Sequence, residues 1–226
     1  MKLSLPSALC FALLIAAGLF PSPSVAQPPP SPLPSERLYP DPRRYEQAVL
    51  AFEALADSIP TPEGAIVCLG SSSMRLWHRT IQADLTPLTL VPRGFGGSTM
   101  MDALYYAERL VIASRPRAVL LYEGDNDIAL GISPAMVRRT FDALVAKIHQ
   151  ALPHTRLYVL AIKPSIARWT VWPEMRAANR LLKNSCESNP LLTYIDVASL
   201  MLSPDLGRPR PEIFTADSLH MNEKGY

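Results

Sequence analysis

The sequence predicts one α/β domain, a three-layer α/β/α sandwich around a mostly parallel five-stranded sheet. The first observation is a series of short, uniformly apolar runs rich in β-branched residues, which are typical of strands buried on both faces. The second is that segments with apolar residues at three- and four-residue steps alternate with these runs, as helices do in doubly wound folds. The third is the length of 226 residues, which suits a single hydrophobic core.

The predicted elements follow one another from residue 45 onward. The strands are expected at 65–69, 88–91, 118–122, 157–162 and 192–195. The helices are expected at 45–59, 74–83, 99–114, 134–152 and 173–188. Pro60 and Pro62 end the first helix, because proline cannot continue a helix. The order α-βαβαβαβαβ predicts a ligand site beyond the carboxyl ends of the strands.

Charge and cysteine content exclude several classes of protein. The formal net charge is +2, from 22 Lys and Arg against 20 Asp and Glu, and no block of five like charges occurs. Neither a nucleic acid nor an anionic membrane surface is therefore expected as a partner. Three cysteines are too few for a disulfide-stapled scaffold, and no C-x-x-C pair indicates structural zinc. A disulfide between Cys68 and Cys186 stays open at this point.

The N-terminus has the composition of an export signal. Lys2 precedes an apolar run over residues 8–20, and the small-x-small triplet Ser24-Val25-Ala26 follows. We predict a signal peptide at 1–26, and an uncleaved anchor is the alternative, although the run is shorter than the ~20 residues of a membrane span. Residues 27–42 are proline-rich and are expected to form an extended linker before a domain at 43–226. The mature protein is then expected to be secreted or periplasmic, without stable membrane insertion.

Small and polar residues follow the predicted strands, where a ligand site is expected. A serine run at 71–73 follows the first strand, a glycine-rich loop at 94–97 the second, and Asp125-Asn126-Asp127 the third. Near the end of the chain come Asp217 and His220. These are the groups that acyl transfer through a serine nucleophile requires.

Each group has a chemical reason to be there. A serine hydroxyl becomes a good nucleophile when an imidazole accepts its proton, and a carboxylate must hold that imidazole in the right tautomer. Asp217 and His220 are close enough in sequence to form this couple locally. The oxyanion of the tetrahedral intermediate needs preorganised donors, which the serine N–H, the Gly97 N–H and the Asn126 side-chain amide can supply. Gly97 lets the backbone approach a ligand because it carries no Cβ.

Each motif has a simpler reading when it is taken alone. The serine run suits a helix N-cap, and Asp125-Asn126-Asp127 suits a capped turn. The glycine-rich loop resembles part of a dinucleotide fingerprint, but Thr99 stands where that fingerprint has Gly or Ala. A metal site around His220 lacks any His-x-Glu or paired-histidine spacing. We therefore expect neither a cofactor nor a metal.

Together the four blocks resemble the SGNH hydrolases, also called GDSL-type esterases and lipases. Among them the chain looks most like the platelet-activating-factor acetylhydrolase-like and carbohydrate-esterase-like members, over residues 65–226. The resemblance implies a flavodoxin-like SGNH fold. It also implies a catalytic triad and an oxyanion hole: the triad is Ser72, Asp217 and His220, and the oxyanion donors are Ser72, Gly97 and Asn126.

The chain departs from the family pattern at two places. Its first block reads Gly70-Ser71-Ser72, so that Ser71 stands where the family has aspartate. Three consecutive serines leave Ser73 as a competing nucleophile, and an ungapped alignment from Gly70 favours Ser72. The sequence also stops six residues after His220, where the family continues with a closing helix. The C-terminal helix is therefore expected to be missing.

The resemblance implies a serine esterase that removes short acyl groups, with acetyl as the first expectation. The expected substrate is a small-molecule or glycan ester. Two other functions stay open. One is lysophospholipase or thioesterase action on longer acyl chains, and the other is a non-catalytic binding module of the cell envelope. The segment 163–173 follows the fourth strand, and we expect its Trp and Arg side chains to border the pocket.

Overall fold

Five parallel strands form the centre of the structure, a computed structural model that describes residues 39–226. Their spatial order is β2-β1-β3-β4-β5. The strands are β1 (Ile66–Gly70), β2 (Leu90–Gly94), β3 (Ala118–Tyr122), β4 (Arg156–Leu160) and β5 (Leu192–Ile195). The predicted α/β/α sandwich with a parallel five-stranded sheet is confirmed.

Eight α-helices are assigned within the described residues. They are α1 (Glu46–Ser58), α2 (Ser72–Trp77), α3 (Ile81–Asp84), α4 (Met100–Tyr105), α5 (Ala107–Leu110), α6 (Asp125–Ala129), α7 (Pro134–Ala151) and α8 (Trp172–Glu187). Short 3₁₀ helices cover Pro42–Tyr45, Ile112–Ser114, Trp169–Val171, Ser199–Met201 and Pro211–Ile213. None of the helices in this part of the chain combines the length and apolar character that crossing a bilayer requires.

Alternate strand residues serve two separate cores. On one face, Val67, Leu69 and Val119 pack in the larger core with residues of α1, α4, α5, α7 and α8. On the other face, Cys68 and Leu120 pack with residues of α2 and α3. Because both faces are covered, the strands are apolar throughout, as the runs in the sequence indicated.

The strand order reverses at β1, and this position determines where the site lies. The chain passes from β1 outward to β2 and then crosses back to β3 on the other side of β1. The register aligns Gly70 of β1 with Gly94 of β2 and with Tyr122 of β3. The loops after these three strands therefore leave the same edge of the sheet at a topological switch point, where ligands bind in open α/β sheets.

Two predicted helices are interrupted, and one strand is longer than expected. The segment predicted as one helix at 74–83 forms α2 and α3, with His78 between them accepting a hydrogen bond from the Gly94 N–H (3.2 Å). The segment 99–114 likewise divides into α4, α5 and a 3₁₀ turn. Strand β2 continues through Pro92, because it lies at the sheet edge and one side needs no backbone donor.

The folded domain includes the last residues of the segment 27–42, for which the proline content predicts an extended linker. Tyr39 is only 5% exposed, and its hydroxyl lies 3.3 Å from Thr140 Oγ1 of α7. A 3₁₀ helix begins at Pro42, with Asp41 as its N-cap. Residues 39–42 therefore belong to the domain. The predicted signal peptide at 1–26 and the rest of the predicted linker, 27–38, lie outside the described residues.

The two described cysteines, for which the sequence allows a disulfide, are free thiols. Cys68 and Cys186 are both buried. Cys68 packs in the core on the α2 side of the sheet, whereas Cys186 of α8 packs in the core on the opposite side. The sheet separates the two sulfur atoms, so the fold does not allow them to pair.

Candidate active site

Ser72 is the first residue of α2, immediately beyond the carboxyl end of β1. The turn depends on Gly70, because a Cβ there would lie 2.4 Å from the carbonyl oxygen of Tyr122 in β3. Ser71 Oγ also lies 3.5 Å from Asp125 Oδ1, which holds the ends of β1 and β3 together. The ends of β1 and β3 thus lie close together, and Ser72 lies at this edge of the sheet.

His220 and Asp217 meet Ser72 in a continuous chain of hydrogen bonds. His220 Nε2 lies 2.9 Å from Ser72 Oγ. The other ring nitrogen, Nδ1, lies 2.6 Å from Asp217 Oδ2. A carboxylate accepts from Nδ1–H, so Nε2 is left to accept the serine proton. This arrangement can activate the Ser72 hydroxyl as a nucleophile.

Asp217 and His220 lie in a tight loop between Phe214 and Met221, which pair in an antiparallel bridge. The N–H of Thr215 donates to the carbonyl of His220 (2.9 Å), which closes the loop. Ser218 has a positive φ of 58° inside this turn. The short loop lets two residues three apart in sequence face each other.

Asp217 is held by several donors besides the imidazole. Its Oδ1 accepts from Thr215 Oγ1 (2.7 Å) and from the backbone N–H groups of Leu219 and His220 (2.9 Å each). The hydrogen bond to the His220 ring, followed by those to the backbone N–H groups, lowers the pKa of the Asp217 carboxyl well below its usual range. The carboxylate therefore stays ionised at neutral pH and keeps its partner oriented.

Ser73, the competing serine, has a different environment. Its side chain is buried, and its Oγ has no hydrogen-bond partner among the described residues. Ser73 lines a cavity together with Met74 and Tyr122. Of the two serines, Ser72 is the one whose hydroxyl contacts an imidazole.

The glycine-rich loop after β2 brings Gly97 to the same rim. Gly97 has a φ of +83°, a backbone conformation that favours glycine. A Cβ at this position would lie 3.1 Å from Tyr45 Oη, and Tyr45 donates to the Gly96 carbonyl (3.0 Å). Neither the Gly97 N–H nor the Ser72 N–H donates a backbone hydrogen bond to another described residue. Both are therefore free to bind an oxyanion.

Asn126 of α6 lies beside this loop. Its Nδ2 donates to the Ser98 carbonyl oxygen (2.8 Å), and its Oδ1 accepts from Arg168 Nη2 (2.9 Å). The sequence predicts a capped turn or an oxyanion block at Asp125-Asn126-Asp127, and the segment forms a short helix. The hydrogen bond to Ser98 joins Asn126 to the loop that carries Gly97, so two of the predicted oxyanion donors have a shared support.

Buried carboxylates lie directly behind these donors. Glu123 Oε1 accepts from Ser98 Oγ (2.5 Å), and its Oε2 is buried without a partner. Burial raises the pKa of Glu123 well above its usual value, and it raises the pKa of Asp127 to about 7. The sequence signal for these groups is the set of acidic residues after β3, but the pattern indicated Asp127 only as part of a capped turn or an oxyanion block.

A segment after β4 holds the two halves of the site together. Lys163 Nζ donates to the Leu219 carbonyl (2.7 Å), and the Ala167 N–H donates to the Ser218 carbonyl (3.0 Å). From the same segment Arg168 reaches Asn126. The sequence predicts that 163–173 lies near the pocket, but it contains no signal for these individual contacts, since their partners lie 42 to 56 residues away.

A cavity of about 290 Å³ lies behind α2, lined mainly by apolar side chains such as Met74, Trp77 and Leu160. Ser73 lines it, whereas Ser72, Gly97, Asn126, Asp217 and His220 do not. Met221, the residue after His220, lines it as well, so the cavity adjoins the loop that carries His220. Over residues 39–226, no three His, Cys, Asp or Glu side chains are grouped so that they could hold a metal ion.

Comparisons with known proteins agree with the fold. Residues 54–226 match the model of the GDSL-like lipase/acylhydrolase family. None of the curated protein sequences matches this chain.

Several solved structures share the fold at low sequence identity. A Streptococcus pneumonia protein described under the name platelet activating factor is 18% identical, with a TM-score of 0.70 over 81% of this chain and 87% of its own. A GDSL-like lipase from Bacteroides thetaiotaomicron is 17% identical, with a TM-score of 0.66 over 82% and 91%. An acetyl xylan esterase from Geobacillus stearothermophilus is 16% identical, with a TM-score of 0.57 over 72% and 90%.

The family match covers most of the chain, and it includes every residue of the serine–histidine–aspartate cluster. The protein therefore belongs to the GDSL-like lipase/acylhydrolase family and is a carboxylic ester hydrolase.

Proposed function

We propose that this protein is a serine esterase that hydrolyses short-chain carboxylic esters, with acetyl as the preferred acyl group. The observation that carries the proposal is the chain of hydrogen bonds from Ser72 Oγ to His220 Nε2 and from His220 Nδ1 to Asp217. Ser72 is the nucleophile, His220 the general base and acid, and Asp217 the residue that orients the imidazole.

The reaction proceeds in two halves. Ser72 Oγ attacks the ester carbonyl carbon while His220 Nε2 takes the hydroxyl proton. The bond to the alcohol oxygen then breaks, and His220 gives that proton to the departing alcohol, which leaves an acyl group on Ser72. Water, deprotonated by His220, attacks this acyl-enzyme and releases the carboxylic acid with a free serine.

Three donors stabilise the oxyanion that forms in each half. They are the backbone N–H groups of Ser72 and Gly97 and the side-chain amide of Asn126. The free N–H groups of Ser72 and Gly97 and the bonded position of Asn126 support this assignment. A preorganised set of donors costs no reorganisation when the charge develops.

The proposed substrate is an acetyl ester on a sugar or another small alcohol. A similar fold occurs in a protein described as an acetyl xylan esterase, which supports this class of substrate. Of the Trp and Arg side chains expected to border the pocket, Arg168 contacts Asn126. Trp172 is instead buried in the larger core, with Trp169 stacked on it at a centroid distance of 6.1 Å.

Hydrolysis of p-nitrophenyl acetate, butyrate and octanoate tests the proposal. We expect the highest kcat/KM with acetate and its abolition in Ser72→Ala. Ser73→Ala is the matched control, and it should retain activity because the Ser73 hydroxyl contacts no imidazole. Turnover that rises with chain length would instead indicate a lysophospholipase or thioesterase.

Labelling with a fluorophosphonate separates an enzyme from a binding module. We expect the probe to modify Ser72 in the wild-type protein and in Ser73→Ala, but not in Ser72→Ala. Absence of both labelling and hydrolysis in the folded protein would favour a non-catalytic binding role. We also propose that the enzyme acts outside the cytoplasm, on the basis of the signal peptide that the sequence predicts at 1–26.

A further inference from the structure

We propose that Arg168 is a positioning residue for the oxyanion hole: its guanidinium holds the Asn126 amide in the orientation that aims an N–H at the oxyanion. This inference rests on the proposed esterase function. The sequence predicts that the segment 163–173 borders the pocket, but neither its motifs nor the family blocks assign a role to Arg168. It lies 42 residues from Asn126 in the chain and comes from the segment after β4.

The two partners of Asn126 determine which way its amide points. An arginine side chain can only donate, so the atom facing Arg168 Nη2 at 2.9 Å must be the carbonyl Oδ1. A backbone carbonyl can only accept, so the atom facing the Ser98 oxygen at 2.8 Å must be Nδ2. Together these contacts exclude the flipped amide.

This orientation leaves one donor for the reaction. Nδ2 carries two hydrogens, and one of them is used by Ser98. The other has no acceptor among the described residues and is available to the oxyanion. Without Arg168, Oδ1 would lose its donor in a site where Asn126 is only 8% exposed, and the amide could rotate about its terminal torsion.

Arg168 is itself held in place from two directions. Its Nη1 lies 3.2 Å from Asp125 Oδ2, an ion pair whose geometry is not that of a directed hydrogen bond. The preceding residue, Ala167, donates its N–H to Ser218 in the loop that carries His220. The planar guanidinium therefore reaches Asp125 and Asn126 at once. A lysine ammonium is a compact point charge and cannot contact both side chains in this way.

Kinetics of Arg168→Lys and Arg168→Gln test this role. Arg168→Lys keeps a cation near Asp125 but loses the fork that reaches Asn126. We expect kcat to fall about 10- to 100-fold, because a misplaced group at a reacting centre can cost up to about 10²-fold. We expect KM to stay within about twofold, because an oxyanion donor acts mainly in the transition state. Arg180→Gln, an exposed arginine on α8, is the matched control and should retain activity.

A double-mutant cycle with Asn126→Ala gives the decisive readout. Asn126→Ala alone should lower kcat by ~10²–10³. In that background Arg168→Lys should change kcat by less than about twofold, because a residue that acts through Asn126 has nothing left to position. Equal effects of Arg168→Lys in both backgrounds would overturn the inference, as would an unchanged kcat in the wild-type background.

The result stays interpretable if a variant is unstable or if the esterase proposal fails. Should Arg168→Gln fail to fold because it leaves buried Asp125 without its cation, Arg168→Lys alone decides the question. Loss of hydrolysis in Ser72→Ala, together with a normal kcat in Arg168→Lys, overturns only the role of Arg168. Hydrolysis that persists in Ser72→Ala contradicts the proposed function itself.

Discussion

At the scale of single residues, Asp217 shows how a half-exposed carboxylate can be oriented without burial. Its two oxygens accept four hydrogen bonds, three on Oδ1 and one on Oδ2. All four donors come from residues 215–220, the same turn that carries Asp217. The local loop, rather than the core, determines the direction of the His220 ring.

Asp217→Asn tests the orienting role. The amide can still accept on one oxygen, but its NH₂ group faces Nδ1 and cannot accept the ring proton, which favours the wrong imidazole tautomer. We expect kcat to fall by ~10³–10⁴, as the corresponding change does in serine-protease triads. Steady-state kinetics on p-nitrophenyl acetate measure the fall, and circular dichroism checks the fold.

Asp196→Asn is the matched control for this substitution. Asp196 is also exposed and accepts hydrogen bonds in a turn, from the N–H and hydroxyl of Ser199. The substitution Asp196→Asn should leave kcat near the wild-type value. Similar small losses in both variants would contradict the role that we assign to Asp217.

At the scale of elements, the junction of β3, α4 and α6 carries a buried acidic cluster behind the oxyanion donors. Asp127 of α6 accepts from the N–H of Met100 at the start of α4, with both oxygens within 3.2 Å. Asp102 of α4 is paired with Arg44, whereas Glu123 has the Ser98 hydroxyl as its one donor within residues 39–226. Two of these carboxyls, Glu123 and Asp127, are thus poorly compensated, which favours their protonated forms.

Because of these buried carboxyls, we expect the free energy of unfolding to fall as the pH rises. Burial raises the pKa of Asp127 from 3.8 to about 7, so the folded state binds more protons than the unfolded state between these values. Its contribution is therefore fully present below about pH 4 and is lost as the pH rises toward 7, at about 1 kcal/mol per pH unit. Asp217 acts in the opposite direction, because its pKa is lowered and its contribution is lost in acid.

Urea unfolding of Asp127→Asn between pH 4 and 8 measures this effect. The asparagine oxygen can still accept from Met100, but the side chain no longer titrates. We expect the free energy of unfolding to fall less steeply with pH in the variant than in the wild type. Glu63→Gln, an exposed position, is the control and should leave the slope unchanged. Parallel pH profiles for the wild type and Asp127→Asn would contradict the raised pKa.

At the scale of the whole molecule, the sequence combines a predicted export signal with a hydrolase domain. An exported precursor should lose residues 1–26, because the triplet Ser24-Val25-Ala26 has small residues at the positions that a signal peptidase recognises. N-terminal sequencing of the exported protein should therefore begin at Gln27.

Ala26→Arg should block this cleavage and leave the precursor in the membrane fraction, whereas Gln27→Asn should be processed normally. A mature protein that retains Met1 in the cytoplasm would contradict both the signal peptide and the location.

Much of the architecture could be predicted because it depends on local patterns. Short apolar runs predicted the five strands, although not their spatial order, and the amphipathic segment at 134–152 matches α7 almost residue for residue. Boundaries were less accurate where a tertiary contact decides them. His78 accepts from Gly94 and ends α2 early, and Tyr39 packs against α7 despite the prolines around it.

The sequence by itself determined the fold class, the edge of the sheet where the site lies, and the short list of residues that could act there. Only the tertiary structure decided which serine hydroxyl meets His220, and that Arg168 braces Asn126 across 42 residues. It also showed that the sheet separates Cys68 from Cys186. The physical reason is that hydrophobic periodicity reports on neighbours three or four residues apart. Side-chain direction and long-range contact depend instead on how the whole chain packs.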